Sequence, residues 1–361
     1  MTTRIGLCGF LVAALLAFAQ PVAIRAQDVD RRLATFERYL DALRQQARIP
    51  GLSAAIVSQR RIIWERGLGY QDLARRIPAT PDTPYRIASL TKTFASTLLM
   101  QCVERGMLDL DDPMRRYTQL IPEAAATVRH VMTHTSEGSP GAQFRYNGSR
   151  YSSLTSVADA CGGLSFRAAL ASRILEPLGM HDSVPGQDLE NPTPAIAELF
   201  DAETLDRYRR VIGRLAIPYT LDSRNRIVPT SYPPRDINAA AGLISTVRDL
   251  ARYDAAIDDH LLVRDVTQQL AWTNARSTTT GQVLPHALGW FRQDYQGHSV
   301  IWHYGYWPQF SALYLKVPDQ DITLLLLANS AGLSSYFPLG NGDVTSSAFA
   351  RLFLQLFSEQ L

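Results

Sequence analysis

Lysine is nearly missing from this chain. Of 36 basic residues only Lys92 and Lys316 are lysines, so the other 34 are arginines. Arginine serves wherever a generic positive charge will do, and a lysine that persists marks a position arginine does not fill. A guanidinium stays protonated in proteins, whereas a desolvated amine can give up its proton and act as a base. Cysteine is also scarce, at three residues, which excludes a disulfide framework, and the spacing offers no zinc-type ligand set. Cys102 and Cys161, flanked by apolar residues in a large chain, read as buried thiols, although an oxidising compartment would allow them to pair. Charge of one sign is missing too. The balance of 36 basic against 34 acidic residues leaves +2, scattered without blocks, which argues against nucleic acid and against a membrane-surface helix. There is no internal repeat and no low-complexity tract. At 361 residues and 46% apolar composition, the chain can bury a large core as one big domain or two closely packed lobes.

The start of the chain has the layout of a secretory leader. Arg4 supplies the positive charge, Ile5 to Ala19 the apolar run, and small residues follow, with cleavage after Ala19 or after Ala26. The run is short for a membrane span, and Leu7 before Cys8 fits a lipoprotein site poorly. These features predict export to a periplasmic or extracellular location, with no stable membrane insertion once the leader is removed.

Lys92 has a serine three residues before it, in Ala88-Ser89-Leu90-Thr91-Lys92. Residues three apart share one face of a helix, so a hydroxyl and an amine can point into one site and form an activated nucleophile. Around this pair the pattern predicts a helix over about 29–46, a hairpin of strands over 52–57 and 62–67, and a helix from about Ser89 to Arg105 that stops at Gly106. A loop-rich, mainly helical middle follows, with its clearest helices over 168–178 and 198–215. Next comes a helix over 247–257 capped by Ser245 or Thr246. Strands over 299–303, 309–317 and 321–329 then precede an amphipathic helix over 346–358, with 322–327 apolar enough for the middle of a sheet.

A serine nucleophile needs a second proton-handling group, an oxyanion hole and a substrate-orienting group. Phe144-Arg145-Tyr146-Asn147-Gly148 offers a phenol, whose ionisation a nearby lysine ammonium would ease. Trp302-His303-Tyr304-Gly305-Tyr306, at the end of a predicted strand, offers an imidazole to hold a polar or anionic group and a glycine that lets substrate lie against the backbone.

Taken together, Ser-x-x-Lys, the mid-chain tyrosine and His-x-Gly on a late strand resemble the serine β-lactamase and penicillin-binding-protein superfamily, in its class C-like branch with D-Ala-D-Ala carboxypeptidases and family VIII esterases. Framework segments such as Ile49-Pro50-Gly51-Leu52, Met132-Thr133-His134-Thr135-Ser136 and Ser245-Thr246-Val247-Arg248-Asp249-Leu250 extend the resemblance over most of the chain. It implies an α+β fold, an antiparallel sheet flanked by helices with an inserted all-helical lobe. Residues 1–26 would be the leader and 27–361 the hydrolase domain, its sheet lobe about 27–88 and 237–361 and its helical lobe about 89–236. It implies Ser89 as the acylated nucleophile, Lys92 as its base or hydrogen-bond partner, Tyr146 as the acid and base for the leaving group, and His303, Gly305, Tyr306 and Asn147 as substrate-binding residues, with the Ser89 and Tyr306 N–H groups as oxyanion hole. No cofactor and no metal is implied. The partner would be a small ester, D-amino peptide or β-lactam, and the other reading is a penicillin-binding sensor that no longer hydrolyses. Gly148 stands where the branch usually has asparagine, with Asn147 one residue early, which favours esters or peptides over β-lactams. His130 and His134 have the i, i+4 spacing of zinc ligands but no glutamate between them, and read as framework. Asn147-Gly148-Ser149 spells a glycosylation acceptor at what would be a cleft rim, where use is not expected.

Overall fold

A computed structural model of the protein describes residues 9–233 and 236–358. Arg4 to Cys8 of the predicted leader lie outside the described residues. The helix expected over 29–46 is the later part of a longer one, α1 (Gly9–Gln46). Among the described residues, no helix is long and apolar enough to cross a membrane.

The expected hairpin is β1 (Gly51–Ser58) and β2 (Arg61–Asp72). Its two-residue link, Gln59-Arg60, has both φ angles positive, at 50 and 62°. That backbone twists in the same sense as the strands it joins, so the hairpin closes tightly even without glycine. β3 (Ile77–Pro78) extends it, and β4 (Tyr85–Arg86) leads to the serine turn. The inserted segment that follows is mainly helical, with α2 (Thr91–Glu104), α3 (Gly148–Ser152), α4 (Leu154–Gly162) and α5 (Ala202–Ile212). It also carries short strands without alternation strong enough to read in the sequence: β5 (Val184–Pro185) and the hairpin β6 (Tyr219–Leu221) with β7 (Ile227–Pro229). β8 (Leu243–Ser245) then leads into α6 (Val247–Asp258), whose N-cap is Thr246, its hydroxyl accepting the Asp249 N–H. The chain ends with β9 (Phe291–Tyr295), β10 (His298–Trp307), β11 (Phe310–Val317), β12 (Ile322–Ala328) and α7 (Ala348–Phe357).

The main sheet is antiparallel, in the order β3-β2-β1-β12-β11-β10-β9. β12 lies at its centre and is buried along its whole length, because successive side chains alternate between two covered faces. Leu324 and Leu326 face α1 and α7 in a cluster with Phe36 and Phe353. Leu325 and Leu327 join the cluster of Phe94 from α2 and Leu250 from α6. A smaller sheet, β4-β8-β5, ties the strand before Ser89 to the strand after the loop at 238–242.

The expectation of buried thiols is corrected. Cys102 near the end of α2 and Cys161 near the end of α4 form a disulfide, with Cα atoms 6.1 Å apart. The two helices pack side by side, a neighbourhood that sequence spacing does not reveal. Joining residues 59 apart in sequence restricts the unfolded chain and is worth about 4 kcal/mol in the loop-entropy account. Replacing both cysteines by alanine is expected to lower unfolding free energy by that order in denaturant titration. Reductant should destabilise the native protein similarly and leave the double variant unaffected, whereas equal stability of the two proteins under oxidising conditions would show that the bond does not form.

Candidate active site

The site is built where β10 passes the turn that starts α2. Ala88, immediately before Ser89, holds a left-handed φ of 49°, a strained position for a residue with a side chain. The turn at Ala88–Leu90 runs straight into α2, which sets Ser89 at the positive end of the helix. Gly305 is needed at the crossing, since a Cβ there would collide with the Ile87 carbonyl. The close approach this glycine permits is therefore between two stretches of backbone, where the sequence suggested substrate. It brings Tyr306 alongside Ser89, and both line one cleft of about 410 Å³ with Lys92, Gly148 and Asn238.

Ser89 Oγ and Lys92 Nζ are 2.8 Å apart, and Nζ also donates to the Ala240 carbonyl at 3.0 Å. Lys92 is fully buried. Burial alone pulls its pKa down from the usual lysine range to about 7, because no carboxylate offsets the loss of water. The rings of Tyr146 and Tyr151 flank Nζ at 5.2 and 5.3 Å. Lys316 is equally buried yet has its pKa raised, since Asp254 at 3.1 Å and Asp258 at 2.7 Å hold its charge. One lysine is thus poised to lose its proton and the other is fixed as a cation.

Tyr146 behaves differently from the expectation. Its hydroxyl is buried without a hydrogen bond of full geometry, and burial, reinforced by Tyr304, pushes its pKa well above the phenol range, only partly opposed by the nearby Ser89 hydroxyl. Lys92, whose Nζ lies over the face of the ring, leans neutral itself and so brings little positive charge to ease that ionisation. Tyr146 is a neutral phenol at the edge of the serine-lysine pair.

His303 is buried as well, and its Nδ1 lies 2.7 Å from the Tyr304 carbonyl. That contact puts the proton on Nδ1 and leaves Nε2, unpartnered among the described residues, as an acceptor. Burial, then Lys92 and His286, hold its pKa well below the usual imidazole value. A neutral ring, 6.2 Å from Tyr146 between ring centres, supports the tyrosine and supplies no charge for an anionic substrate. Two histidines that sequence reasoning did not place here complete the surround. His134 packs on Tyr146 at 4.4 Å and on His286 at 4.7 Å, and His286 lies 6.0 Å from His303. His130 turns away to cap Thr127, and no group of acidic, histidine or cysteine residues able to hold a metal occurs among the described residues.

Asn147 is not brought to the cleft. Its Oδ1 accepts the Arg150 N–H at 3.0 Å as the cap of α3, and its Nδ2 donates to Glu137 at 2.7 Å. Both ends of the amide are occupied by the fold. Gly148 does face the cleft, and a Cβ there would stand 3.8 Å from Lys92 Nζ with nothing closer, so the space beside the lysine is open.

Comparison with known proteins bears on the family and the fold. The family model for beta-lactamase matches residues 36–346. A penicillin-binding protein of Bacillus subtilis is 20% identical over 76% of this chain and 67% of its own length. A beta-lactamase of Escherichia coli is 26% identical over 80% of this chain and 76% of its own. Protein flp of Staphylococcus aureus is 23% identical, and the match covers 60% of its length. Among solved structures, the octameric penicillin-binding protein homologue from Pyrococcus abyssi superposes with a TM-score of 0.69 at 24% identity, covering 83% of this chain and 74% of the other.

The lowered pKa of Lys92 has a cost in stability with a defined sign. Between its folded value near 7 and its unfolded value near 10.4, the unfolded state holds more protons, so this residue's contribution improves as pH rises and is worst below 7. Lys92→Met is expected to raise unfolding free energy by about 3 kcal/mol at pH 6, and by less at pH 9, in denaturant titration at both pH values. An equal effect at the two would mean that the buried amine keeps its charge.

Proposed function

The chain belongs to the beta-lactamase family, and from that footing we propose that it is an exported serine hydrolase acting through an acyl-enzyme at Ser89 on a small ester, a D-amino peptide or a β-lactam amide. The observation that carries this reading is the neutral-leaning Lys92 amine 2.8 Å from Ser89 Oγ in a site without a carboxylate partner. The free amine takes the Ser89 proton as Oγ attacks the carbonyl carbon. Charge developing on the carbonyl oxygen is held by the Ser89 and Tyr306 N–H groups, aided by the N-terminal end of α2. Tyr146, protonated at rest, gives its proton to the leaving group and regains one from Lys92. Water then enters and transfers a proton back along the same pair as the ester is cleaved.

Substrate preference follows from what the cleft presents. Asn147 is tied up, position 148 has no side chain and His303 is neutral, so neither the 147–148 stretch nor His303 supplies the amide or the cation that favours β-lactam turnover. Esters and D-amino peptides are the preferred class. The predicted leader and the Cys102–Cys161 bond both suit an oxidising, periplasmic or extracellular setting.

With p-nitrophenyl esters the purified protein is expected to give a burst of one product equivalent followed by turnover. Ser89→Ala should abolish both, Lys92→Ala should slow acylation by about a thousandfold, and kcat/KM should climb through about pH 7 as Lys92 deprotonates. A burst without turnover would favour a penicillin-acylated sensor, and wild-type activity in Ser89→Ala would end the acyl-enzyme reading.

A further inference from the structure

The loop at 238–242, which lines the same cleft as Gly148, holds an unused hydrogen-bond donor. Asn238 and Ala241 close a tight turn, the Asn238 N–H reaching the Ala241 carbonyl at 2.9 Å and the Ala241 N–H reaching the Asn238 carbonyl at 3.2 Å. Within that turn the Asn238 side-chain Oδ1 accepts the Ala240 N–H at 2.9 Å and the Ala241 N–H at 3.2 Å. Two backbone donors on one oxygen fix which way the amide faces. Its Nδ2 makes no hydrogen bond among the described residues. Asn238 is half-buried and lines the cleft.

The loop is also firmly placed. The Ala239 N–H donates to Thr155 Oγ1 at 2.9 Å, the Leu243 carbonyl accepts the Ile87 N–H at 3.0 Å, and the Ala240 carbonyl receives Lys92 Nζ at 3.0 Å. A donor on such a loop keeps a fixed position relative to Ser89 and Lys92. Elsewhere in the site Gly148 contributes no side chain and Asn147 spends its amide on Arg150 and Glu137.

We propose that Asn238 Nδ2 binds the substrate's acyl half, making the cleft selective for acyl groups that carry a second carbonyl oxygen close to the one Ser89 attacks. The inference rests on the acyl-enzyme reading and adds to it a recognition element contributed by the sheet side of the cleft. A donor with no charge suits a neutral carbonyl, as in an N-acyl amino acid ester or peptide. A half-buried amide N–H left unpaired by a plain alkyl chain is what generates the discrimination.

The test compares p-nitrophenyl N-acetylglycinate with p-nitrophenyl pentanoate, two acyl groups of matched chain length of which only the first has the second carbonyl, and adds the monosuccinate ester as a carboxylate arm. The readout is the ratio of kcat/KM between esters, which is independent of the active fraction. In Asn238→Asp the acceptor for the Ala240 and Ala241 N–H groups is kept while the donor is replaced by oxygen. There the N-acetylglycinate to pentanoate ratio should fall at least tenfold, and Asn238→Ala should lower it too. In the wild type, N-acetylglycinate should outpace the monosuccinate. A ratio within twofold of wild type in both variants, including the case where both esters slow together, would overturn the proposal and leave Asn238 as a turn former. Preference for the monosuccinate would overturn the choice of a neutral carbonyl. In Ser89→Ala, which forms no acyl-enzyme, relative binding of the intact esters should show the same preference and lose it on Asn238→Asp. Failure of turnover in the wild type therefore counts against the acyl-enzyme reading, and failure of the binding preference counts against Asn238.

Discussion

Burying an amine without a counter-ion is the constraint around which this structure is arranged. A charged group moved out of water costs several kcal/mol unless a partner compensates, and among the described residues Lys92 has only the Ser89 hydroxyl, the Ala240 carbonyl and two aromatic faces. Those contacts suffice for a neutral amine and are poor compensation for an ammonium. Proton loss near neutral pH is how the fold relieves that cost. The same burial that makes the residue expensive makes it a base matched to a serine hydroxyl, and the supporting stability comes from elsewhere, chiefly the doubly covered β12 and the helices packed on either face.

Lys316 shows what the alternative looks like in the same molecule. It lies on β11 under α6, and Asp254 receives hydrogen bonds from Lys316, Thr323 and Tyr314 at once. That network holds α6 to the sheet with a permanent charge pair. The two lysines of the chain occupy equivalent depths and differ only in carboxylate neighbours. Desolvation decides the first and Coulomb attraction the second. Scarcity of lysine drew attention to both positions, but only the three-dimensional surround separates their roles.

The signals legible in the sequence were those carried by local pattern. Alternation and apolar runs marked β1, β2, β10, β11 and β12. Ser245 or Thr246 marked the start of α6, and the three-residue offset placed Ser89 against Lys92. What escaped needed neighbours distant in sequence. Cys102 and Cys161 looked like thiols because nothing near either one says that α2 and α4 lie side by side. Asn147 looked available because neither the start of the short helix α3, which its side chain caps through the Arg150 N–H, nor the approach of Glu137 is marked in the local pattern. His134, His286 and His303 come from three separate elements and meet only around Tyr146. β9, reading Phe-Arg-Gln-Asp-Tyr, is a polar edge strand with too little alternation to stand out.

The backbone at the centre of the site explains why specificity falls to the cleft walls. Ile87 presses on Gly305, Ala88 is held in a strained turn and β4 is hydrogen-bonded to β8, so the nucleophile's position is set by main-chain contacts rather than by the side chains that line the cleft. Residues such as Gly148, Ser149, Asn238 and Tyr306 surround that fixed point, and none is needed to hold it except through the turn at 238–241. Changes at those positions can redirect what is bound without dislodging what reacts. The missing side chain at 148 therefore need not weaken catalysis. If Asn238 binds the acyl group as proposed, the burden of recognition passes to the loop at 238–242, which is already anchored to Lys92 through Ala240.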